Sequence, residues 1–165
     1  MADLPSIYCP AACENELKMV VYLHDVRSGP NTNFLIVLNP NMSPVGFGSI
    51  TVNDYPLLDA PEPNANLVGT AKGTAVNTDV VNGFAYHASF TILFTAGRFK
   101  GSTLEVLGIS SVGERAIAGG TGELAFARGT IKYEAVKQVT NADEFYLKLT
   151  IHALYTPPPV GAESQ

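Results

Sequence analysis

GFAYHASFTILF, residues 83–94, alternates between two sets of side chains at every step. One set is mostly large and apolar, and consists of Phe84, Tyr86, Ala88, Phe90, Ile92 and Phe94. The other set is smaller or more polar, and consists of Ala85, His87, Ser89, Thr91 and Leu93. Because successive side chains of a β-strand point to opposite faces, this period of two predicts a strand with one face turned toward a core.

Seven more segments carry β-branched, aromatic or alternating patterns typical of strands. They are residues 19–26, 33–39, 46–57, 66–78, 102–110, 122–136 and 144–155. With 15 glycines and 11 prolines the chain has no room for a long crossover helix, so we expect antiparallel pairing. The sequence therefore predicts an all-β fold: an eight-stranded antiparallel barrel whose interior can hold one small ligand.

The chain divides into three regions. We expect an N-terminal extension over 1–17, the barrel over 18–155 and a Pro-rich linker over 156–165, TPPPVGAESQ. Three consecutive prolines favour a stiff exit toward a further domain, and an ordinary disordered C-terminus explains the tail equally well.

Composition excludes several classes of function. The chain is 46% hydrophobic and 15% charged with a net charge of −5, which argues against disorder, nucleic-acid binding and attraction to anionic membranes. No apolar run approaches the roughly 20 residues of a membrane span, and no secretory leader is visible in the sequence. We expect a cytoplasmic protein, or an apoplastic one if a leader has been removed.

Two cysteines, Cys9 and Cys13, flank Pro10-Ala11-Ala12. They fit unrelated thiols or a local disulfide, and no other His or Cys cluster completes a zinc site with them. We expect neither a metal nor a cofactor.

The glycine-rich stretch AIAGGTGELAFARGTI, residues 116–131, resembles a phosphate-binding loop only superficially. No lysine follows the glycines, and the residues after them form a strand pattern rather than a helix. We predict a turn in which Gly119, Gly120 and Gly122 allow positive φ or close backbone approach between two strands.

Asp25 interrupts the apolar segment MVVYLHDV, residues 19–26. If its side chain points inward with Val21 and Leu23, a carboxyl group lies in an apolar barrel, and desolvation raises its pKa. Such a group can act as a general acid or anchor a ligand. The alternative is that Asp25 ends the strand and caps the following turn.

Four segments, in order, resemble one family: YLHDVRSGPN, FGSITVNDYPLLDAPEPNANLVGTAKG, FKGSTLEVLG and GGTGELAFARG. Together they are similar to plant dirigent proteins over residues 18–155. The resemblance implies an allene-oxide-cyclase-like eight-stranded barrel, a trimer, and a pocket that holds radicals or quinone methides derived from phenylpropanoids. Members of the family bias the stereochemistry of coupling without oxidising the substrate themselves.

The pocket residues of the family match only in part. Asp25 matches the acid of the family's HD strand, whereas Ser110 stands where coupling-type members carry a second Asp. Gly113 stands near the family's Arg, for which Arg115 can substitute from an adjacent position, and Ala75 replaces a tyrosine. An aromatic residue of the last strand is kept as Phe145 or Tyr146.

These departures argue against stereoselective coupling and against an enzyme. The chain most resembles the dirigent domain of monocot chimeras, which precedes a jacalin-type lectin domain in stress- and defence-associated proteins. We expect a non-catalytic module that binds a small polar ligand, such as a sugar, through Asp25, Ser110, Arg115 and Tyr146. The alternatives are an auxiliary protein for phenoxy-radical coupling with Asp25 as the acid, and an oligomerisation module for the lectin.

Overall fold

The computed structural model describes residues 14–40 and 46–156. The predictions for Cys9 and Cys13, for most of the N-terminal extension and for all but the first residue of the linker lie outside the described residues. In the described part, no helix is long and apolar enough to cross a membrane. The described residues contain nine strands: β1 Asn15–Val26, β2 Phe34–Leu38, β3 Ile50–Leu58, β4 Leu67–Asn77, β5 Tyr86–Phe94, β6 Thr103–Ile109, β7 Glu114–Thr121, β8 Arg128–Ala135 and β9 Glu144–Tyr155.

The strands form one antiparallel sheet that closes on itself. Neighbours follow the order β1-β9-β8-β7-β6-β5-β4-β3, and β1 also pairs with β3. Strand β2 continues the line of β1 along β3: Leu23 lies opposite Leu57, and Phe34 lies opposite Asn53 further along. Because β1 and β2 share one position, nine strands fill the eight positions of a closed barrel, and the predicted eight-stranded antiparallel barrel is confirmed.

The GGTG stretch lies partly inside a strand that the sequence did not reveal. Gly119 and Gly120 belong to β7, and only Gly122 begins the turn, with a φ of +64°. A Cβ on Gly120 would lie 2.3 Å from the Leu124 carbonyl oxygen and 2.7 Å from that of Thr103. The prediction of a turn at Gly119 and Gly120 is therefore wrong, whereas the predicted close backbone approach at Gly120 and positive φ at Gly122 are confirmed.

Alternation in the segment 83–94 is confirmed from Tyr86 onward. The side chains of Ala88, Phe90, Ile92 and Phe94 are buried, whereas Phe84 precedes β5 and is 79% exposed. The segment predicted to form a strand over 122–136 contains a 3-10 turn, Gly122–Leu124, and forms a strand only from Arg128.

Inward side chains pack one end of the barrel and leave the other end open. The packed end is built from large apolar residues, among them Leu57, Ile92, Leu104, Leu149 and Ile151. At the other end the inward positions carry small or polar side chains such as Ala75, Ala88, Thr51 and Asn53. Because these side chains do not meet across the axis, a cavity remains there.

The two neighbouring glycines of β7 provide a test of this packing. We expect Gly120→Ala to lower the free energy of unfolding by about 1 to 3 kcal/mol, since the added methyl group collides with backbone oxygens that cannot move freely. Gly119→Ala is the matched control: its Cβ would have one neighbour, the Glu105 Cγ, at 4.0 Å. Urea denaturation measures both, and equal effects of the two substitutions would contradict the predicted close approach.

Candidate binding cavity

The open end of the barrel encloses a cavity of about 350 Å³. This volume lies at the lower end of the range of small-molecule sites. Aromatic rings form much of the wall, and three charged side chains interrupt it. The lining residues are Leu23, Asp25, Arg27, Phe34, Thr51, Asn53, Tyr55, Ala75, Tyr86, Ala88, Phe90, Ser110, Arg115, Tyr133 and Leu147.

Asp25 points into this cavity, as the inward alternative of the sequence analysis requires. It follows Val21 and Leu23 on the same face of β1 and is 3% exposed. Its Oδ2 accepts hydrogen bonds from Arg27 Nε at 3.1 Å and Nη2 at 3.0 Å. Its Oδ1 is buried and has no hydrogen-bond partner within the described residues.

Burial raises the pKa of Asp25, because the low-dielectric wall disfavours the charged carboxylate. The hydrogen bonds and positive charge of Arg27 oppose this effect without cancelling it. Since Oδ2 already accepts two N–H groups, Oδ1 is the oxygen left to carry a proton. Asp25 is thus suited to donate a hydrogen bond or a proton into the cavity.

Arg27 is held at the mouth of the cavity by two aromatic rings. Its guanidinium carbon lies 4.2 Å from the centroid of Phe145 and 5.2 Å from that of Phe34. The arginine side chain is about half exposed, whereas that of Asp25 is buried. The pair therefore joins a solvent-facing cation to an interior acid.

Arg115 enters the cavity from the start of β7. Its guanidinium carbon lies 4.4 Å from the ring centroid of Tyr133 and 5.5 Å from that of Phe90. Burial lowers its pKa, and its Nε is buried without a hydrogen-bond partner within the described residues. Gly108 leaves space for this side chain, since a Cβ there would lie 3.2 Å from the Arg115 Cγ.

Ser110 also lines the cavity, but its hydroxyl group already has two partners. It accepts a hydrogen bond from the Tyr86 N–H at 2.9 Å and donates one to the Phe84 carbonyl oxygen at 3.3 Å. The Tyr133 hydroxyl group holds the same segment by donating to the Ser110 carbonyl oxygen and accepting from the Gly113 N–H. The side chains of Ser110 and Tyr133 therefore hold the backbone at the rim of the cavity in place.

Tyr146 lies on the other side of the barrel wall. Its neighbour Leu147 faces the cavity, and Tyr146 stacks on His24 with a centroid distance of 4.3 Å. The Thr140 hydroxyl group accepts a hydrogen bond from the Tyr146 N–H, and the tyrosine is 2% exposed. Of the four residues predicted to bind ligand, the structure brings together Asp25, Ser110 and Arg115, and leaves Tyr146 outside the cavity.

Six polar or charged lining residues were not singled out as site residues from the sequence: Arg27, Thr51, Asn53, Tyr55, Tyr86 and Tyr133. The period of two in β3 could have indicated Asn53 and Tyr55, which alternate with exposed Asp54. Burial raises the pKa of the Tyr55 hydroxyl group, and the negative charge of Asp25 adds to that shift. In the described residues, no group of three or more His, Cys, Asp or Glu side chains could hold a metal ion.

The family model for dirigent-like proteins matches residues 16–154. Dirigent protein 15 of Arabidopsis thaliana is 36% identical over 141 residues, a match that covers 75% of this chain and 72% of that protein. Pterocarpan synthase 1 of Glycyrrhiza echinata is 37% identical over 118 residues, covering 66% of this chain and 61% of the relative. The chain belongs to the dirigent-like protein family.

A solved structure supports the same assignment. The pterocarpan synthase dirigent protein GePTS1 superposes with a TM-score of 0.79 at 28% identity. The superposition covers 90% of this chain and 89% of that one. The barrel described above is therefore the fold of a dirigent protein.

The raised pKa of Asp25 predicts the sign of a pH effect on stability. When a folded-state pKa lies above the unfolded value of 3.8, wild-type stability falls as the pH rises through the interval between the two values. Asp25→Asn removes this titration. We expect the free energy of unfolding of the variant, relative to wild type, to rise over that interval and then to level off.

Asp79→Asn is the control for this experiment. The N–H groups of Asn82 and Val81 lower the pKa of Asp79 below 3.8, so wild type gains stability as the pH rises toward that value. The relative stability of Asp79→Asn should therefore fall over its interval. Chemical denaturation at several pH values measures both trends, and a fall for Asp25→Asn would contradict the raised pKa.

Proposed function

We propose that this barrel binds one small aromatic molecule of the phenylpropanoid type and holds it in a fixed orientation, with Asp25 as its polar anchor. The observation that carries the proposal is a buried carboxyl group with one unpaired oxygen in a cavity walled by aromatic rings. The relatives named dirigent protein and pterocarpan synthase support a directing or synthetic role.

The lining favours an aromatic ligand over a sugar. Phe34, Tyr55, Tyr86, Phe90 and Tyr133 offer ring faces and edges to an aromatic guest. A sugar needs many free polar partners, and several here are occupied. The hydroxyl groups of Ser110 and Thr51 both bond to backbone groups.

Asp25 can do more than hold the ligand. A protonated Oδ1 can donate to a ligand oxygen, and proton transfer from it would assist closure or coupling of an electrophilic ligand such as a quinone methide. Stereochemical bias requires only that one face of the bound ligand be covered while the other reacts. An asymmetric wall with Asp25 on β1 and Arg115 on β7 supplies that asymmetry.

Calorimetric titration with coniferyl alcohol tests the binding step. We expect saturable binding to the full chain that Asp25→Asn weakens about tenfold, which corresponds to about 1.4 kcal/mol for one lost hydrogen bond to a buried group. Asp79→Asn should bind as wild type does, because Asp79 is a half-buried residue of the β4–β5 turn and does not line the cavity. Absence of binding, or binding of glycans instead, would refute the proposal.

Chiral chromatography tests the directing role separately. Coniferyl alcohol is coupled by an added one-electron oxidase with and without the chain. We expect an enantiomeric excess in the coupled product that Asp25→Asn reduces. A racemic product from a chain that binds the alcohol would remove the directing role for this substrate and leave the binding role in place.

We also propose that the chain self-associates, as the predicted trimer requires. Strand β2 supports this because Leu35, Ile36, Val37 and Leu38 are each about half exposed, and a row of exposed apolar side chains on a strand favours association. A C-terminal lectin domain and a cytoplasmic location stay predictions.

Light scattering during gel filtration tests the self-association. We expect Ile36→Lys to shift the chain toward monomer, because a charge in a buried apolar interface is costly. Val81→Lys is the control, since Val81 is an exposed apolar residue of the β4–β5 turn and not of β2. A monomeric wild-type chain, or an oligomer that tolerates Ile36→Lys, would contradict this proposal.

A further inference from the structure

The charges of the cavity do not balance. Asp25 is the one acidic side chain among the lining residues, and its Oδ2 is bound to Arg27. Arg115 has no hydrogen bond or ion pair with any described residue, and its polar Nε is buried. Whether or not Asp25 is protonated, Arg115 therefore places a positive charge in the cavity that has no negative partner among the described residues.

The other arginines of the chain show how unusual this is. Of the four arginines in the sequence, Arg27 pairs with Asp25, Arg98 with Glu123 and Arg128 with Glu14. Arg115 lines the cavity and is the one arginine without a carboxylate partner among the residues that the structure describes. Burial lowers the pKa of Arg115, as expected when a cation is desolvated without a counterion.

The surroundings hold Arg115 in place without neutralising it. The rings of Tyr133 and Phe90 attract the guanidinium group by cation–π interaction, and Gly108 makes room for its aliphatic stem. Neither interaction uses the fork of N–H donors, which matches the two oxygens of a carboxylate. The donors are thus positioned and left free for a ligand.

We propose that Arg115 binds a carboxylate of the aromatic ligand, so that the preferred ligand is an aromatic acid rather than its neutral alcohol. This inference rests on the proposed function and adds the ligand's charge to it. Asp25 on β1 and Arg115 on β7 are separated by β9 and β8 around the wall. A ligand with a carboxylate at one end and a hydroxyl group at the other can satisfy both.

Ferulate and coniferyl alcohol provide a matched pair of probes. They share the same substituted ring and differ at the end of the side chain, which is a carboxylate in one and an alcohol in the other. Calorimetric titration of the full chain near neutral pH should show ferulate binding at least tenfold more tightly. Arg115→Gln should abolish this preference, and Arg115→Lys should keep part of it, because a lysine retains the charge but not the fork.

Arg98→Gln is the control, since it removes the same charge from an exposed arginine outside the cavity. It should leave the preference for ferulate intact. Equal affinity for the two probes, or a preference for ferulate that survives Arg115→Gln, would overturn the inference. Binding of coniferyl alcohol in the same titrations would still support the proposed function. If neither probe binds, both proposals fail.

Thermal unfolding separates a ligand-binding role for Arg115 from a structural one. An unpaired, desolvated cation does not stabilise the empty barrel, so Arg115→Met should unfold at the same temperature as wild type or higher. Added ferulate should then raise the unfolding temperature of wild type and not that of the variant. A lower unfolding temperature for the ligand-free variant would assign Arg115 to packing and count against the inference.

Discussion

Closure of the sheet is the constraint on which the rest of this structure depends. Strand β1 pairs with β9 along its whole length, from Asn15 opposite Tyr155 to Val26 opposite Glu144, and its far side pairs with β3. A closed barrel leaves its main strands without a free edge and forces alternate side chains toward a shared axis. Every inward residue must then either pack against others or border a cavity.

The barrel uses both solutions, one at each end. Large apolar residues such as Ile92 and Leu104 fill one end, and this end supplies most of the hydrophobic stabilisation. The other end carries small residues, Ala75 and Ala88, beside polar ones. An unfilled volume and desolvated charges both lower the stability of the fold. Their occurrence together at one end of the barrel is the arrangement expected of a binding site for a small molecule.

The two arginines of the cavity differ in what they contribute. Arg27 keeps contact with solvent, stacks on Phe145 and Phe34, and moderates the pKa of Asp25 through two hydrogen bonds to one oxygen. Arg115 is held by the rings of Tyr133 and Phe90, and no carboxylate of the described residues pairs with it. Ser110 stands where the resemblance to coupling-type members placed a second Asp, and this substitution is consistent with a cavity that draws its negative charge from a ligand.

The sequence by itself determined most of the strands and their antiparallel pairing, and it placed Asp25 on one face of β1 with Val21 and Leu23, while leaving open whether that side chain points inward. These features follow from a local period of two: Val21, Leu23 and Asp25 share a face whatever the rest of the chain does. Ordered motifs such as YLHDVRSGPN also indicated the family. Only the tertiary structure decided that β1 and β2 share one barrel position, that Tyr146 lies outside the wall and that Arg115 lacks a counterion. These three features depend on which residues of distant strands lie opposite each other and on the path of the loops. The pattern of side chains along a single segment carries no information on either.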